Sequence, residues 1–259
     1  MELEVLVSTM NLEEPEKLIK NMNIQTKYTI INQVKEKIDL PQINNVYNYS
    51  EIGLSKSRNR ALEHAGADIC LIADDDVKYV DNYEEIIKNS YKKYKSADII
   101  IFHLESQNLK RPIKKIKSKK INQINVMRVI SSQISLKKSS LQKNNIKFDE
   151  KFGAGSLYDR GEETIMLTDA LRKKLKIINV NETIGYVRQE ESTWFKGFNE
   201  NFFLKQGACF YRINKKTYIF LILQYAIRKY KLYRKNLKLK VAIKNMLKGA
   251  NQYKKYKGK

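Results

Sequence analysis

Apolar residues along this chain fall into short runs separated by stretches of helical spacing. Glu2–Ser8 alternates and then runs apolar, which predicts a first strand ending at Ser8-Thr9. Over 12–22, Leu12, Leu18, Ile19 and Met22 share one helical face, with Pro15 suited to a first turn. Tyr28–Asn32, rich in β-branched residues, predicts a second strand, and Val46–Tyr49 a short third. Leu54–Ala65 carries Leu54, Ala61, Leu62 and Ala65 at the spacing of a helix packed on a sheet. Asp68–Ala73 reads as a buried fourth strand, Tyr83–Tyr94 as a helix and Asp98–Phe102 as a fifth strand. Strands alternating with helices in this way predict βα units, a mainly parallel sheet and an α/β fold.

Beyond Phe102 the pattern is more broken. Residues 109–120 carry seven Lys or Arg and predict a mobile basic linker. Ile124–Ile130 predicts a strand and Ser132–Leu141 a helix, followed by a Gly-punctuated loop, Phe148–Ser156. Glu162 opens a helix through about Lys174, with acids in the first turn and bases in the last, as the helix dipole favours. Ile177–Val180 and Ile184–Val187 predict two short strands. The remainder mixes apolar residues with bases, predicting a body over 1–210 and a basic amphipathic helical extension over 211–259.

Charge sharpens that division. The 259 residues carry 50 Lys or Arg against 28 acids, a net charge of +22. Residues 201–259 hold 17 of those bases and no Asp or Glu, so residues 1–200 are nearly balanced at +5. A strongly basic tail on a neutral body points to an anionic partner, a membrane or a nucleic acid. Nucleic acid fits poorly, because no recognition motif is present and an acidic triplet would repel phosphate. Tail residues such as Leu232, Leu237, Leu239, Val241, Ile243 and Leu247, interspersed with bases, fit an interfacial helix. Cys70 and Cys209 lie far apart and predict reduced, buried thiols in a cytoplasmic protein. Met1-Glu2-Leu3-Glu4 puts no basic region ahead of the first apolar run, so no secretory signal is expected.

Candidate chemistry begins where the fourth strand stops at Asp74-Asp75-Asp76. Three adjacent carboxylates repel one another unless a cation joins them, and hard oxygens suit Mg²⁺ or Mn²⁺ shared with a diphosphate. The same triplet also fits an acidic turn capping the next helix. Gly53–Leu62 places a glycine, two hydroxyls and three bases at a helix start, a pattern suited to an anion or to an exposed basic helix. Glu162 and Glu163 point about 100° apart on their helix, so one at most faces a crevice, where it could act as a base. Glu190–Trp194 sets the only Trp beside carboxylates and hydroxyls, as sugar recognition or a core position would. His64 and His103 read as structural. No Ser-His-Asp set, zinc ligand set, P-loop or dinucleotide fingerprint is present, which also counts against a nucleotidyltransferase.

The order of these segments resembles the GT-A-fold family 2 glycosyltransferases, in particular the bacterial branch that assembles capsules and exopolysaccharides. The matching motifs are Ser8-Thr9, Gly53–Asn59, Ala73–Asp76, Phe148–Gly153, Gly161–Glu163 and Glu191–Trp194, spread over roughly residues 1–210. The resemblance implies an inverting, Mn²⁺- or Mg²⁺-dependent hexosyl- or N-acetylhexosaminyltransferase. Its donor would be a nucleotide-sugar, in particular a UDP-sugar, and its acceptor a lipid-linked saccharide at the inner face of the cell membrane. It implies that Ser8 and Thr9 contact the base, that Arg58 meets phosphate or ribose, and that Asp74 and Asp76 form the Asp-x-Asp pair. Whether Asp75 or Asp76 holds the metal stays open, because three acids allow two alignments. Glu163 would be the base, and Gly155, Glu162, Glu191 and Trp194 would lie on the acceptor side. Two departures stand out: Asn32 occupies a position where the family often has Asp, and no histidine follows His103.

Overall fold

The computed structural model describes residues 1–35, 44–108, 112–188 and 197–257. The strands β1 (Leu3–Met10), β2 (Lys27–Gln33), β3 (Val46–Tyr49) and β4 (Ile69–Asp74) pair in parallel, in the order β3-β2-β1-β4. Helices α1 (Pro15–Met22) and α2 (Leu54–His64) make crossovers between them. The sheet has eight strands and continues β7 (Ile134–Lys137), β6 (Ile99–Ser106), β8 (Ile177–Val187) and β5 (Val77–Tyr79). There β7 runs antiparallel to both its neighbours, β5 antiparallel to β8, and β6 parallel to β8.

The continuous apolar runs of β1 and β4 follow from burial on both faces. Val5, Val7, Leu71 and Ala73 enter one core layer, while Leu6, Cys70 and Ile72 enter the other. Helix α3 (Tyr83–Lys93) covers the first layer, and α2 and α5 (Glu162–Arg172) pack with the second. The buried acid Glu4 is fully used: Thr29 donates to it at 2.6 Å, and the amides of Gly66 and Ala67 at 2.8 and 3.0 Å. It fixes the turn that delivers the chain into β4. Both cysteines are free and buried.

The second half departs from the sequence expectation in several places. Instead of a strand, 124–130 contains a single 3-10 turn, Val126–Arg128. Asn122 and Asn125 cap backbone amides there, drawing the segment out of extended geometry. Residues 132–141 are not one helix: a 3-10 turn leads into β7, and only then does α4 (Lys138–Lys143) begin. Ile134 and Leu136 alternate with Ser135, which is itself buried and donates to the Tyr91 hydroxyl, so the β period prevails. The two strands expected near 177–187 are one, because bulges in its pairing with β6 let it continue. The described part of the basic linker lies against β8, with Ile116 buried and its carbonyl accepting from Asn179.

The C-terminal region is integral to the body. Helix α6 (Glu200–Ile213) runs across residue 210, and α7 (Tyr218–Tyr233) and α8 (Leu239–Lys257) follow. A β-carbon on Gly207 would fall 1.8 Å from the Met246 carbonyl oxygen, and one on Gly249 1.8 Å from that of Leu204. The helices α6 and α8 therefore touch backbone to backbone. Tyr253 of α8 packs edge-on against Phe152 and Tyr158 of the body, with ring centroids 5.3 and 5.6 Å apart. Leu237, Leu239, Ile243 and Leu247 pack against this third core. They are thus turned inward, whereas the sequence pattern had them facing a membrane. Among the described residues no helix is long and apolar enough to cross a membrane.

Candidate active site

Strand register assembles the first wall of the site. Ser8 pairs with Asp74 across β1 and β4, while Thr9 and Met10 pair with Asn32 and Gln33 across β1 and β2. β1 connects outward on one side to β2 and on the other pairs with β4, so the crevice beyond their carboxyl ends is where such sheets bind ligands. A cavity of about 1650 Å³ opens there, lined by Ser8, Thr9, Gln33, Asp74, Asp75, Asp76 and Glu163 among others.

The parity of β4 separates the three aspartates. Asp74 falls on the α2 side, where it accepts from Arg58 Nη2 at 2.8 Å and from the Ser131 and Ser132 hydroxyls at 3.0 Å each. Burial acts to raise its pKa, but the guanidinium and the two hydroxyls outweigh that and hold it below the ordinary value. Asp75 leaves the strand and accepts from the Thr9 hydroxyl at 2.6 Å. Asp76 also lines the cavity, and its carbonyl accepts from the Arg188 amide.

Arg58 lies beneath the cavity rather than in it. It is 1% exposed; Nη1 donates to Glu162 at 2.8 Å and Nη2 to Asp74, while Nε is buried with no partner among the described residues. Serines hold the helix around it: Ser57 donates to Ser8, and Ser55 to the Phe152 carbonyl. Asn32 is also buried, tying the amide of Leu12 and the side chain of Asn48. Its neighbour Gln33 is the one that borders the cavity, bonded to both backbone groups of Gly53.

The opposite wall begins at the N-terminus of α5. Gly161 caps that helix with φ +82, and a β-carbon there would sit 2.4 Å from Cys209 Sγ of α6. Glu162 turns inward to Arg58 and packs under Gly153, whose φ of +99 only glycine adopts readily. Glu163 turns to the cavity. Burial, reinforced by the charge of Glu162, pushes its carboxyl up to about 8. A carboxyl held near neutral pH is matched to general-base work. Gly155, with φ +77, closes the loop onto Ile52 and Gly53 at the start of α2, so it shapes the rim.

The sequence therefore singled out both Glu162 and Glu163, and the fold gives them separate tasks. Glu191 and Trp194 lie outside the described residues. Sequence reasoning missed the third wall, formed by Arg160, by Phe202 and Phe210 of α6, and by Tyr225, Arg228, Lys229 and Lys231 of α7. Its only sequence signal was the absence of acids after residue 200. Among the described residues no three His, Cys, Asp or Glu side chains form a complete metal cage. Two aspartates at a cavity edge, with hard oxygen donors and no soft ligand, fit a Mg²⁺ or Mn²⁺ ion completed by ligand oxygens.

No protein-family model and no curated protein sequence matches the chain. Solved structures do. The structure of S. aureus TarS 1-349 superposes with a TM-score of 0.64 at 15% identity, covering 96% of this chain and 81% of that one. A further structure of that protein contains UDP-GlcNAc. The mannosyltransferase PcManGT from Pyrobaculum calidifontis, solved with GDP-Man and Mn²⁺, gives 0.52 at 13% identity, covering 97% and 73%. Glucosyl-3-phosphoglycerate synthase from Mycobacterium tuberculosis, with Mn²⁺, UDP and phosphoglyceric acid, gives 0.52 at 11%, covering 82% and 78%. The architecture is accordingly the GT-A fold, and the superposition on TarS extends over 96% of this chain.

Proposed function

We propose that the protein is a glycosyltransferase that moves a sugar from a nucleotide-sugar, in particular a UDP-sugar, to an acceptor hydroxyl with inversion. The observation that carries this reading is Glu163 in one cavity with Asp75 and Asp76, on a GT-A fold. Thr9 orients Asp75, and Arg58 with Ser131 and Ser132 keeps Asp74 ionised at the base of the donor end. Asp75 and Asp76 would hold a divalent cation, which supplies charge to a departing diphosphate.

Glu163 removes the proton from the acceptor hydroxyl as its oxygen bonds to the anomeric carbon. The bond from that carbon to the phosphate oxygen breaks, and the nucleoside diphosphate departs with the electron pair. Attack opposite the leaving group inverts the anomeric centre. Ser8, Thr9 and Gln33 border the place for the nucleotide.

We further propose a membrane-bound saccharide acceptor of the kind used in surface polysaccharide assembly. Support comes from α7, where Ile219, Phe220, Leu223 and Ile227 are exposed along one face and Lys231 sits at its edge. Such a face suits an anionic bilayer, at about 1 kcal/mol per base near the surface.

Thermal-shift screening of UDP- and GDP-sugars with and without Mn²⁺ tests the donor. Stabilisation by one nucleotide-sugar that depends on the metal and disappears in Asp76→Ala is expected; no stabilisation by any would sink the proposal. Glu163→Gln is expected to keep donor binding and lose transfer, and proton NMR of the product reads the anomeric configuration.

A further inference from the structure

The third wall of the cavity carries charge that the transfer chemistry leaves unused. Arg128 comes from the 3-10 turn, Arg160 from the approach to α5, and Arg228, Lys229 and Lys231 from α7. Arg160 is committed to Asp159 at 2.9 Å and lies 3.8 Å above the Phe202 ring. The other four have no acidic partner among the described residues, and Arg128, Arg228 and Lys231 are exposed. No acid follows Glu200 to neutralise them. Among the described residues the carboxylates lining the cavity are Asp74, Asp75, Asp76 and Glu163, and none of them pairs with these four bases.

Unpaired cations gathered around a concavity repel each other and focus a positive potential into it. A neutral sugar acceptor gives such a field nothing to bind. These bases are also not simply the membrane face of α7. Arg228 lies five residues after Leu223, about 140° around the helix, and Lys229 lies further round still. These two point away from the exposed apolar stripe, whereas Lys231, four residues after Ile227, sits at the edge of that stripe. α7 thus presents an apolar face for a bilayer and, on another side, Arg228 and Lys229 to the cavity, with Lys231 between the two.

We propose that the acceptor is itself an anion, a saccharide chain bearing phosphate or carboxylate groups that Arg128, Arg228, Lys229 and Lys231 hold while a hydroxyl reaches Glu163. The proposal rests on the glycosyl-transfer reading and names the substrate class of the same site. Selectivity for charge then resides in α7 and the 3-10 turn, apart from the residues that meet the donor.

The test titrates the protein calorimetrically with a sulfated tetrasaccharide and with its unsulfated parent, with UDP and Mg²⁺ saturating. The sulfated chain is expected to bind at least about tenfold more tightly, with the advantage shrinking as salt rises. Arg128→Ala/Arg228→Ala should lose most of that advantage while its UDP affinity stays unchanged. Both positions are exposed, so the variant folds. Equal binding of the two saccharides, or full discrimination by the variant, overturns the proposal. Vesicles of phosphatidylglycerol distinguish a lipid headgroup from a charged chain. The variant should still bind them; loss of vesicle binding with saccharide discrimination intact would assign the bases to the bilayer and overturn the proposal. A protein that binds no UDP yet prefers the sulfated chain would refute the transfer reading and support the anion site.

Discussion

Arg58 Nη1 donates to Glu162 Oε1 at 2.8 Å with both side chains out of solvent, and this pairing decides which of two adjacent glutamates faces the cavity. With Glu162 drawn under Gly153, the helical turn of about 100° per residue directs Glu163 outward. The same guanidinium reaches Asp74, so one buried cation fixes the start of α5 and the end of β4 relative to each other.

Removing that cation should cost stability before it costs chemistry. Arg58→Met leaves Glu162 and Asp74 without their partner, and breaking a buried pair in this way costs about 3–5 kcal/mol. Urea denaturation followed by circular dichroism measures it. Arg58→Met/Glu162→Met should recover part of the loss, and a single-variant loss below about 1 kcal/mol would contradict the buried-pair geometry.

The pH dependence has a defined sign. Glu163 is held near 8 when folded against an ordinary value of 4.5, so between these limits the folded chain binds the extra proton. Its contribution to stability therefore falls as pH rises through that window. Glu163→Gln lacks the titration, so at pH 9 it should be more stable than the parent, with the difference vanishing near pH 4. In the parent, kcat/KM should climb with pH through a midpoint near 8, because the base must be ionised. A flat profile from pH 6 to 9 would remove Glu163 from that role.

Gly161 and Cys209 should behave as a coupled pair. Gly161→Ala forces a side chain into left-handed backbone and into contact with Cys209 Sγ. The conformational part costs about 1–2 kcal/mol and the overpacking about 1–3 kcal/mol. Adding Cys209→Ala should return the second part and leave the first, which a double-mutant cycle resolves. Additive losses would mean that α6 does not approach α5 as closely as described.

Membrane association should map to one face of one helix. Phe220→Ser/Ile227→Ser should weaken binding to phosphatidylglycerol vesicles at least about tenfold in co-sedimentation, without shifting the melting temperature downward. Both residues are strongly exposed, 68% and 65%, so no core is disturbed. Unchanged co-sedimentation would exclude this face as the contact.

Several of these features were readable from the residues alone. The fourth strand ends flush against three carboxylates, so both β4 and the acidic edge of the cavity are visible as an abrupt change from apolar to acidic. The glutamate pair at the start of α5 is equally plain. The burial of Arg58 was not, because helical spacing says that a base lies on a helix and not what it meets across the sheet. Strand β7 hid within a polar stretch, as only Ile134 and Leu136 mark its period. β5 has three residues, too few for any period to show. Gly207 and Gly249 stand more than forty positions apart and become intelligible only as the two sides of one contact. Without that contact α7 and α8 read as a detachable basic tail, and the third wall of the cavity goes unseen.

The α6–α8 glycine contact has a practical consequence for anyone who wishes to re-engineer this protein. Cutting the chain after Ile213 would strip Tyr253 from Phe152 and Tyr158 and remove the α7 side of the cavity in the same stroke. The C-terminal helices are therefore not a part that can be exchanged without opening the cavity. A fusion that preserves the cavity has to carry α6, α7 and α8 together, with any added segment placed beyond Tyr253.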